Sequence, residues 1–123
     1  DLAAMQVIHD SSAPISLNIR PMQLSDLQQV VEIDRLSFGL PWSVRSFQYE
    51  LEENPDSVLW VAEIGLPGGE KRVVGSIVVW IVLDEAHIAT FAVDAAYRQQ
   101  GIGAFLLASI LETLKALGVL SAW

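Results

Sequence analysis

The sequence contains no cysteine, few basic residues and no apolar segment of membrane length. The absence of cysteine excludes disulfide bonds and thiolate metal sites. Only 7 lysine and arginine residues stand against 15 aspartate and glutamate residues, which gives a net charge of -8. This balance argues against nucleic acid as the main partner, because phosphate binding needs clustered basic side chains. The same charge permits a basic peptide or an amine substrate.

Membrane segments are also missing from the printed sequence. The longest apolar run, Ile77 to Leu83, is strand-sized, whereas a membrane helix needs about 20 residues. The first residues show no basic segment followed by an apolar one, which is the pattern of a signal peptide. We therefore expect a cytoplasmic protein that has no membrane partner.

What the sequence does contain is typical of one folded domain. It has 123 residues, of which 52% are hydrophobic and 18% are charged. Residues 1–14 are predicted to be a loose leader, and residues 15–123 the N-terminal and central part of a single domain. The last stretch, "LGVLSAW", turns apolar where the printed sequence stops, so we expect a further strand that is cut short.

The first half predicts one strand and two helices. Residues 15–22 are strand-like, and Ser25 is the predicted N-cap of the first helix, with Gln28 completing a capping box. Gly39 and Pro41 interrupt the helical pattern. Ser43 is the predicted N-cap of the second helix.

The second half predicts three strands in succession and a long helix. The strands are expected at residues 58–64, 73–83 and 87–93, with a glycine-rich hairpin between the first two. From Gly101 onward apolar residues recur at helical spacing, and Gly118 is a natural stop. This element order predicts an α+β layer architecture.

Two glycines stand where this last helix begins, in "AYRQQGIGAFLLASIL". A short loop from a strand into a glycine-containing first turn is typical of an anion site, because the first helical N–H groups have no intrahelical acceptor. Gly101 and Gly103 would let a phosphate approach the backbone. The alternative interpretation is that the glycines allow close helix packing.

The commoner nucleotide loops do not fit these residues. A dinucleotide fingerprint needs a third glycine, and that position is Leu106. A P-loop needs G-K-[ST], but Ala104 follows Gly103. The remaining pattern is R-x-x-G-x-G, which begins at Arg98.

Through this pattern the chain resembles the GCN5-related N-acetyltransferase superfamily. The stretch "AVDAAYRQQGIGAFLL" is similar to the family's acetyl-CoA pyrophosphate loop over its whole length. The resemblance implies a mixed, mostly antiparallel sheet flanked by helices, incomplete at the C-terminus. It also implies acetyl-CoA as co-substrate and no metal.

The resemblance carries roles to particular residues around this loop. The backbone of Phe91, Ala92 and Val93 would pair with the pantetheine arm of coenzyme A. The Arg98 side chain either contacts phosphate or is a solvated surface charge. The amides that would hold the pyrophosphate belong to one run of residues: Gln99, Gln100, Gly101, Ile102, Gly103 and Ala104.

A second segment, "FGLPWSVRSFQYEL", resembles the RimI-type ribosomal-protein-alanine N-acetyltransferases. In that resemblance Leu40, Pro41 and Trp42 border the acceptor peptide; the alternative is that Trp42 anchors the core. The implied activity is acetylation of the α-amino group of a protein N-terminus. A small-molecule amine acceptor and a non-catalytic module that binds coenzyme A or a partner are the alternatives.

The catalytic base and acid of such enzymes would lie beyond Trp123. Within the printed sequence, Glu85 and His87 are interpreted as solvent-facing hairpin residues; the alternative is that one of them supplies a base from the fourth strand, as in some members of the family it resembles. The acidic stretch from Glu50 to Asp56 is interpreted as a solvated helix end; the alternative is that it attracts a basic N-terminus. Because the missing part would cover one side of the sheet, we expect an exposed strand edge through which the chain self-associates.

Overall fold

The computed structural model describes residues 16–37, 41–119 and 121–122. The predicted leader at residues 1–14 therefore lies outside the described residues. The elements, in chain order, are β1 (Ser16–Pro21), α1 (Leu27–Ser37), α2 (Val44–Glu53), β2 (Ser57–Gly65), β3 (Lys71–Val82), β4 (Glu85–Val93), α3 (Ile102–Ala116) and β5 (Ser121–Ala122). Short 3₁₀ turns at Leu24–Asp26 and Ala95–Tyr97 precede α1 and α3.

The strands form one five-stranded sheet in the order β1-β2-β3-β4-β5. Neighbouring strands from β1 to β4 are antiparallel, and β5 pairs with β4 in parallel. The predicted α+β class and the mixed, mostly antiparallel sheet are confirmed. Strand β4 begins at Glu85 rather than at the predicted residue 87, because the turn consists only of Leu83 and Asp84.

Helices cover both faces of the sheet, and the described residues form a core cluster on each face. Helix α3 closes one, and helices α1 and α2 close the other. The α3 cluster is centred on Ile64, Val74, Ile77, Val79, Leu106 and Ile110. The cluster under α1 and α2 is centred on Val30, Ile33, Phe47, Val61, Val78 and Ala92. In the described ranges, no helix has the length and apolar character that a bilayer span requires.

The start of α1 differs from the prediction. Ser25 lies inside the 3₁₀ turn and is exposed, so it is not the N-cap. The capping role belongs to Gln23 and Asp26: the Asp26 carboxylate accepts the backbone N–H of Gln23 at 2.8 Å, and the Asp26 N–H donates to the Gln23 carbonyl at 2.9 Å. The Asp26 half of a capping box is thus present, two residues earlier than predicted, while the bond to the Gln23 carbonyl is that of the 3₁₀ turn.

Two other helix ends match their predictions. The Ser43 hydroxyl accepts the backbone N–H of Ser46 at 3.1 Å and caps α2. Gly118 has φ +94° just after α3. Its N–H donates to the Lys115 carbonyl, and the Val119 N–H donates to the Leu114 carbonyl, both at 3.1 Å. These two bonds form a Schellman motif, which satisfies carbonyl groups at the helix end.

An ion-pair cluster joins β1, the 3₁₀ turn and β2. The Arg20 guanidinium donates two hydrogen bonds of 2.8 Å to Asp26 and one of 2.9 Å to Glu63. The Asp26 side chain is 5% exposed and that of Glu63 15%. This bidentate, largely buried geometry is the strong form of an arginine–carboxylate interaction.

Replacing Arg20 tests the contribution of this cluster. We expect Arg20→Gln to lower the free energy of unfolding by about 2 kcal/mol, because it leaves the buried Asp26 carboxylate without its cation. Urea denaturation measures the change. Arg35→Gln is the matched control, since Arg35 pairs with Glu32 on the exposed surface of α1 and should change stability little. Equal losses in the two variants would contradict this account.

The same cluster predicts a pH dependence. Burial raises the pKa of Asp26, but the hydrogen bonds from Arg20 and from the Gln23 backbone, with the charge of Arg20, outweigh it and hold the pKa below its usual range. A carboxyl whose pKa is depressed by folding contributes stability above its unfolded pKa and loses it on acidification. We therefore expect stability to fall below about pH 4, and to fall less steeply in Asp26→Asn.

Candidate active site

The end of β4 leads into α3 through a tightly bonded turn. The Asp94 N–H donates to the Val74 carbonyl of β3 at 2.7 Å, which closes the strand. The Asp94 carboxylate then accepts the Ala96 N–H at 2.9 Å, and the Asp94 carbonyl accepts the Tyr97 N–H at 2.9 Å. These bonds direct the chain from the sheet toward the start of α3.

Gly101 is the N-cap of helix α3; its φ of +80° lies in the left-handed region that favours glycine. The first hydrogen bond of the helix joins the Phe105 N–H to the Gly101 carbonyl at 2.9 Å. The three preceding N–H groups, of Ile102, Gly103 and Ala104, have no acceptor inside the helix. Together with the helix dipole they make this end suitable for a negative charge.

The second glycine of the motif, Gly103, is required by packing rather than by backbone conformation. A Cβ atom built on Gly103 would lie 3.2 Å from Val93 Cγ2 and 3.5 Å from Phe91 Cζ, both on β4. A Cβ on Gly101 would meet no atom within 4 Å. Close helix packing therefore accounts for Gly103, whereas backbone conformation accounts for Gly101.

The remaining residues of the predicted loop fall into two groups. Gln99, Gln100 and Ala104 are exposed, and Gln99 has φ +64°, a rare conformation for a residue other than glycine. The Ile102 side chain is buried in the α3 core, so only its backbone faces the loop.

Along β4, the outer edge has no strand partner beyond Ala86 within the described residues, since β5 pairs only with Glu85 and Ala86. A groove of about 400 Å³ follows this edge and is lined by Ser37, Phe91, Ala92, Val93 and Arg98. The structure thus brings together the three predicted β4 residues and the first residue of the motif.

The Arg98 side chain lies along this groove. Its Nε donates to the Val93 carbonyl at 3.0 Å, and its Nη2 donates to the Ser37 hydroxyl at 3.1 Å. Both partners are protein groups at the ends of β4 and α1. Arg98 therefore joins the end of α1 to the end of β4, which neither predicted alternative for its side chain anticipated.

Of the predicted acceptor loop, Leu40 lies outside the described residues, Pro41 is exposed and Trp42 is half-buried. The Trp42 ring stacks on Trp80 with centroids 6.2 Å apart, and it lies 5.1 Å from the ring of Phe47. Trp42 therefore packs on the edge of the α1–α2 core, as the core-anchoring alternative predicted, while part of its surface remains accessible.

One buried carboxylate, Asp34, bonds Trp42, and a second, Glu50, bonds its stacking partner Trp80. The sequence-based interpretation missed the first and misread the second. Asp34 is fully buried: its Oδ2 accepts the Trp42 backbone N–H at 2.6 Å, and its Oδ1 accepts the Thr90 hydroxyl at 2.9 Å. The position of Asp34 in the helix was the one sequence feature that indicated its burial. Asp34 follows Val30 by four residues and so falls on the apolar face of α1.

Glu50 corrects the prediction of a solvated helix end. It is 8% exposed, because it follows Phe47 by three residues and shares its face of α2. Its Oε1 accepts hydrogen bonds from Trp80 Nε1 at 2.6 Å, the Ser57 hydroxyl at 2.8 Å and Asn54 Nδ2 at 3.0 Å. Only the later part of the predicted acidic stretch faces solvent.

The other titratable pair considered from the sequence, Glu85 and His87, lies at the surface. His87 Nε2 lies 3.1 Å from Glu85 Oε1, and their side chains are 41% and 44% exposed, in agreement with the prediction of solvent-facing hairpin residues. Among the described residues, no three histidine or acidic side chains are grouped as a metal site would require.

The sequence and the fold define one class of protein. A model of the acetyltransferase (GNAT) family matches residues 27–123, and the chain belongs to this family. It is 37% identical over 97 residues to the putative ribosomal protein bS18-alanine N-acetyltransferase of Bacillus subtilis, an alignment covering 79% of this chain and 61% of that protein. With the ribosomal protein bS18-alanine N-acetyltransferase of Escherichia coli it shares 29% identity over 105 residues, which cover 85% and 66% of the two chains.

Solved structures show the same similarity. The crystal structure of the Escherichia coli ribosomal-protein-alanine N-acetyltransferase superposes with a TM-score of 0.74 at 25% identity, covering 88% of this chain and 65% of that one. The crystal structure of Ard1 from Thermoplasma volcanium gives a TM-score of 0.74 at 28% identity, with 88% and 70% covered. The chain spans less than two thirds of the length of the curated relatives it matches.

Substitution of Gly101 tests the conformational account of the loop. We expect Gly101→Ala to lower the free energy of unfolding by about 1 kcal/mol, because a Cβ is unfavourable in the left-handed region. Gly101→Asn should lose less, since asparagine tolerates that region. Chemical denaturation of both variants provides the comparison. If alanine and asparagine were equally tolerated, the positive φ would not be the reason for glycine here.

Proposed function

We propose that this chain carries the acetyl-CoA site of an N-acetyltransferase that modifies the α-amino group of a protein N-terminus. The observation that carries the proposal is the start of α3, where three backbone N–H groups without an acceptor inside the helix lie beside the β4 edge, which from His87 to Val93 has no second strand partner among the described residues. The similarity to ribosomal-protein-alanine N-acetyltransferases supports the acceptor class.

In the proposed complex the pyrophosphate of coenzyme A lies at the start of α3. The amides of Ile102, Gly103 and Ala104 donate hydrogen bonds to it, and the helix dipole favours its charge. The adjacent backbone of Gln99, Gln100 and Gly101 completes the loop. No metal is needed, because backbone amides supply the positive potential.

The pantetheine arm would lie in the groove along Phe91, Ala92 and Val93. An unpaired strand edge offers backbone donors and acceptors to an extended ligand with amide groups, as in strand addition. The Val93 carbonyl now accepts from Arg98, so a ligand amide that bonds this carbonyl competes with the Arg98 side chain. Arg98 would then be released toward the phosphates.

The acceptor amine would enter beside Pro41 and Trp42. The chemistry requires a neutral amine that attacks the thioester carbonyl: a C–N bond forms, the C–S bond breaks, the amine loses a proton and the thiolate gains one. An α-amino group titrates near pH 8, roughly, so a modest base or a water relay is sufficient. We assign neither the base nor the acid to the exposed Glu85–His87 pair.

A charge at the start of α3 tests the proposed pyrophosphate site. Ala104 is exposed in the first helical turn. A glutamate there favours the helix through its dipole but repels the pyrophosphate. We expect Ala104→Glu to keep the stability of the protein and to weaken coenzyme A binding by about tenfold, as measured by calorimetric titration.

Two matched variants control this experiment. Ala104→Gln has nearly the same shape without the charge, and Ala108→Glu places the same charge one turn further along, where Ala108 is also exposed. Both should bind coenzyme A nearly as tightly as the unmodified chain. A similar loss in all three variants would show that the charge does not act at this helix end.

The acceptor class is tested by acetyl transfer. With the full-length gene product, we expect turnover of acetyl-CoA with short peptides that begin with alanine, and little with the same peptides whose α-amino group is blocked. Release of coenzyme A, followed with a thiol reagent, measures the rate. Equal or faster turnover of a polyamine or an aminoglycoside would replace the peptide acceptor by a small-molecule amine. Binding of coenzyme A without any turnover would favour a non-catalytic binding module.

A further inference from the structure

We propose that Asp34 is a positioning residue that sets the acceptor side of the site, by fixing Trp42 against β4. This proposal rests on the proposed function, which defines the acceptor side as the side where the amine enters. Its structural part, the attachment of Trp42, stands on the described contacts alone.

The Asp34 carboxylate uses one oxygen for each side of the site. Its Oδ2 accepts the Trp42 backbone N–H at 2.6 Å, and its Oδ1 accepts the Thr90 hydroxyl at 2.9 Å. Asp34 is 0% exposed and Thr90 is 8% exposed. A single buried group of α1 therefore connects the chain before α2 with the middle of β4.

The chemistry of the carboxylate makes this connection sensitive. Within the described residues no arginine, lysine or histidine forms an ion pair with Asp34, so neutral donors alone compensate for its burial. An acceptor that loses its donor in the interior is strongly disfavoured. Both bonds must persist together, which restricts where Trp42 can lie relative to Thr90.

Thr90 is placed at an irregular point of β4. The strand pairs Thr90 with Val78 and Ile88 with Val79, so Ala89 has no partner residue on β3 and forms a bulge. Bulges change the direction of a strand and are common beside active sites. Asp34 therefore attaches Trp42 directly after the bulge, at the start of the segment that lines the groove.

The Trp42 side chain is held separately from its backbone. Its ring stacks on Trp80, and the Trp80 indole N–H is bonded to the buried Glu50 at 2.6 Å. The ring contact orients Trp42 on the α2 side, while Asp34 sets its distance from β4. Loss of the Asp34 bond should therefore displace the loop without unfolding α2.

The donor side does not depend on Asp34. Phe91 and Val93 pair with Ile77 and Gly75 of β3, and Gly103 packs directly on Val93. The backbone that would hold coenzyme A is thus fixed by the sheet and by α3. A change at Asp34 or Thr90 should affect the acceptor and spare the donor.

The test compares Thr90→Val with Thr90→Ser in the full chain. Valine has the shape of threonine but removes the hydroxyl, whereas serine keeps it. We expect Thr90→Val to raise the KM for an alanine-initiated peptide by about tenfold and to leave the KM for acetyl-CoA within about twofold. Thr90→Ser should restore most of the acceptor KM. Asp34→Asn, which can still accept from Trp42 and donate to Thr90, should be milder than Asp34→Ala.

Ser76→Ala is the control for a disturbed core. Ser76 is fully buried on the neighbouring strand β3, and its hydroxyl has no hydrogen-bond partner among the described residues. Its removal should change neither KM. Near-UV circular dichroism of the stacked Trp42–Trp80 pair gives a readout without turnover: Thr90→Val should alter it, and Thr90→Ser and Ser76→Ala should not.

The outcomes separate this proposal from the proposed function. If the unmodified chain transfers acetyl groups but Thr90→Val leaves the acceptor KM unchanged, or raises both KM values equally, the positioning role of Asp34 is wrong. If the unmodified chain neither binds coenzyme A nor transfers acetyl groups, the proposed function fails. The dichroism spectra then still decide whether Asp34 orders Trp42, and an unchanged spectrum in Thr90→Val refutes it.

Discussion

The site depends on one constraint: from His87 to Val93, strand β4 is paired on one side only within the described residues. Backbone N–H and C=O groups on this edge need other hydrogen-bond partners. Without them, buried groups cost free energy and exposed groups can pair with another chain. At the end of the strand the Val93 carbonyl accepts a hydrogen bond from Arg98. The Arg98 guanidinium also donates to the Ser37 hydroxyl at the end of α1. Arg98 thereby joins α1, β4 and the loop before α3 around one groove.

Buried carboxylates are used in two different ways in this small fold. Asp26 is balanced by the cation of Arg20 and stabilises the far edge of the sheet. Asp34 and Glu50 accept only from neutral donors in the described part of the chain, so hydrogen bonds alone offset their burial. Such groups contribute little net stability, but they allow few alternative arrangements of their partners. Asp34 accepts the Trp42 backbone N–H and Glu50 accepts the Trp80 indole N–H, so both carboxylates hold the same aromatic pair. Trp42 lies on the proposed acceptor side, which connects the two carboxylates with the proposed function.

Apolar periodicity predicted the helices and strands of this chain well, because burial of one face is what forms them. The start of α3 and the residues of the groove were also predictable, since strand, loop, glycines and helix follow each other directly in the sequence. The burial and hydrogen bonding of Asp34 and Glu50 were not predictable in this way. The partners that explain them lie 56 and 30 residues away, at Thr90 and Trp80. A charged residue on a helix is normally expected at the surface, and only its position on the apolar face hinted otherwise.

The two glycines of the motif, Gly101 and Gly103, are required for different reasons, and these two reasons together explain their spacing. Gly101 ends the loop in a left-handed conformation, which directs the chain into the helix. One residue later the Ile102 side chain must enter the α3 core. The next position then faces β4, at a distance from Val93 that leaves no room for a larger residue without movement. A helix that starts this close to a strand end brings its free N–H groups beside the unpaired strand edge. The same short distance therefore explains Gly103 as a packing residue and places the first N–H groups of the helix next to the groove, so close packing of Gly103 is compatible with the proposed anion site.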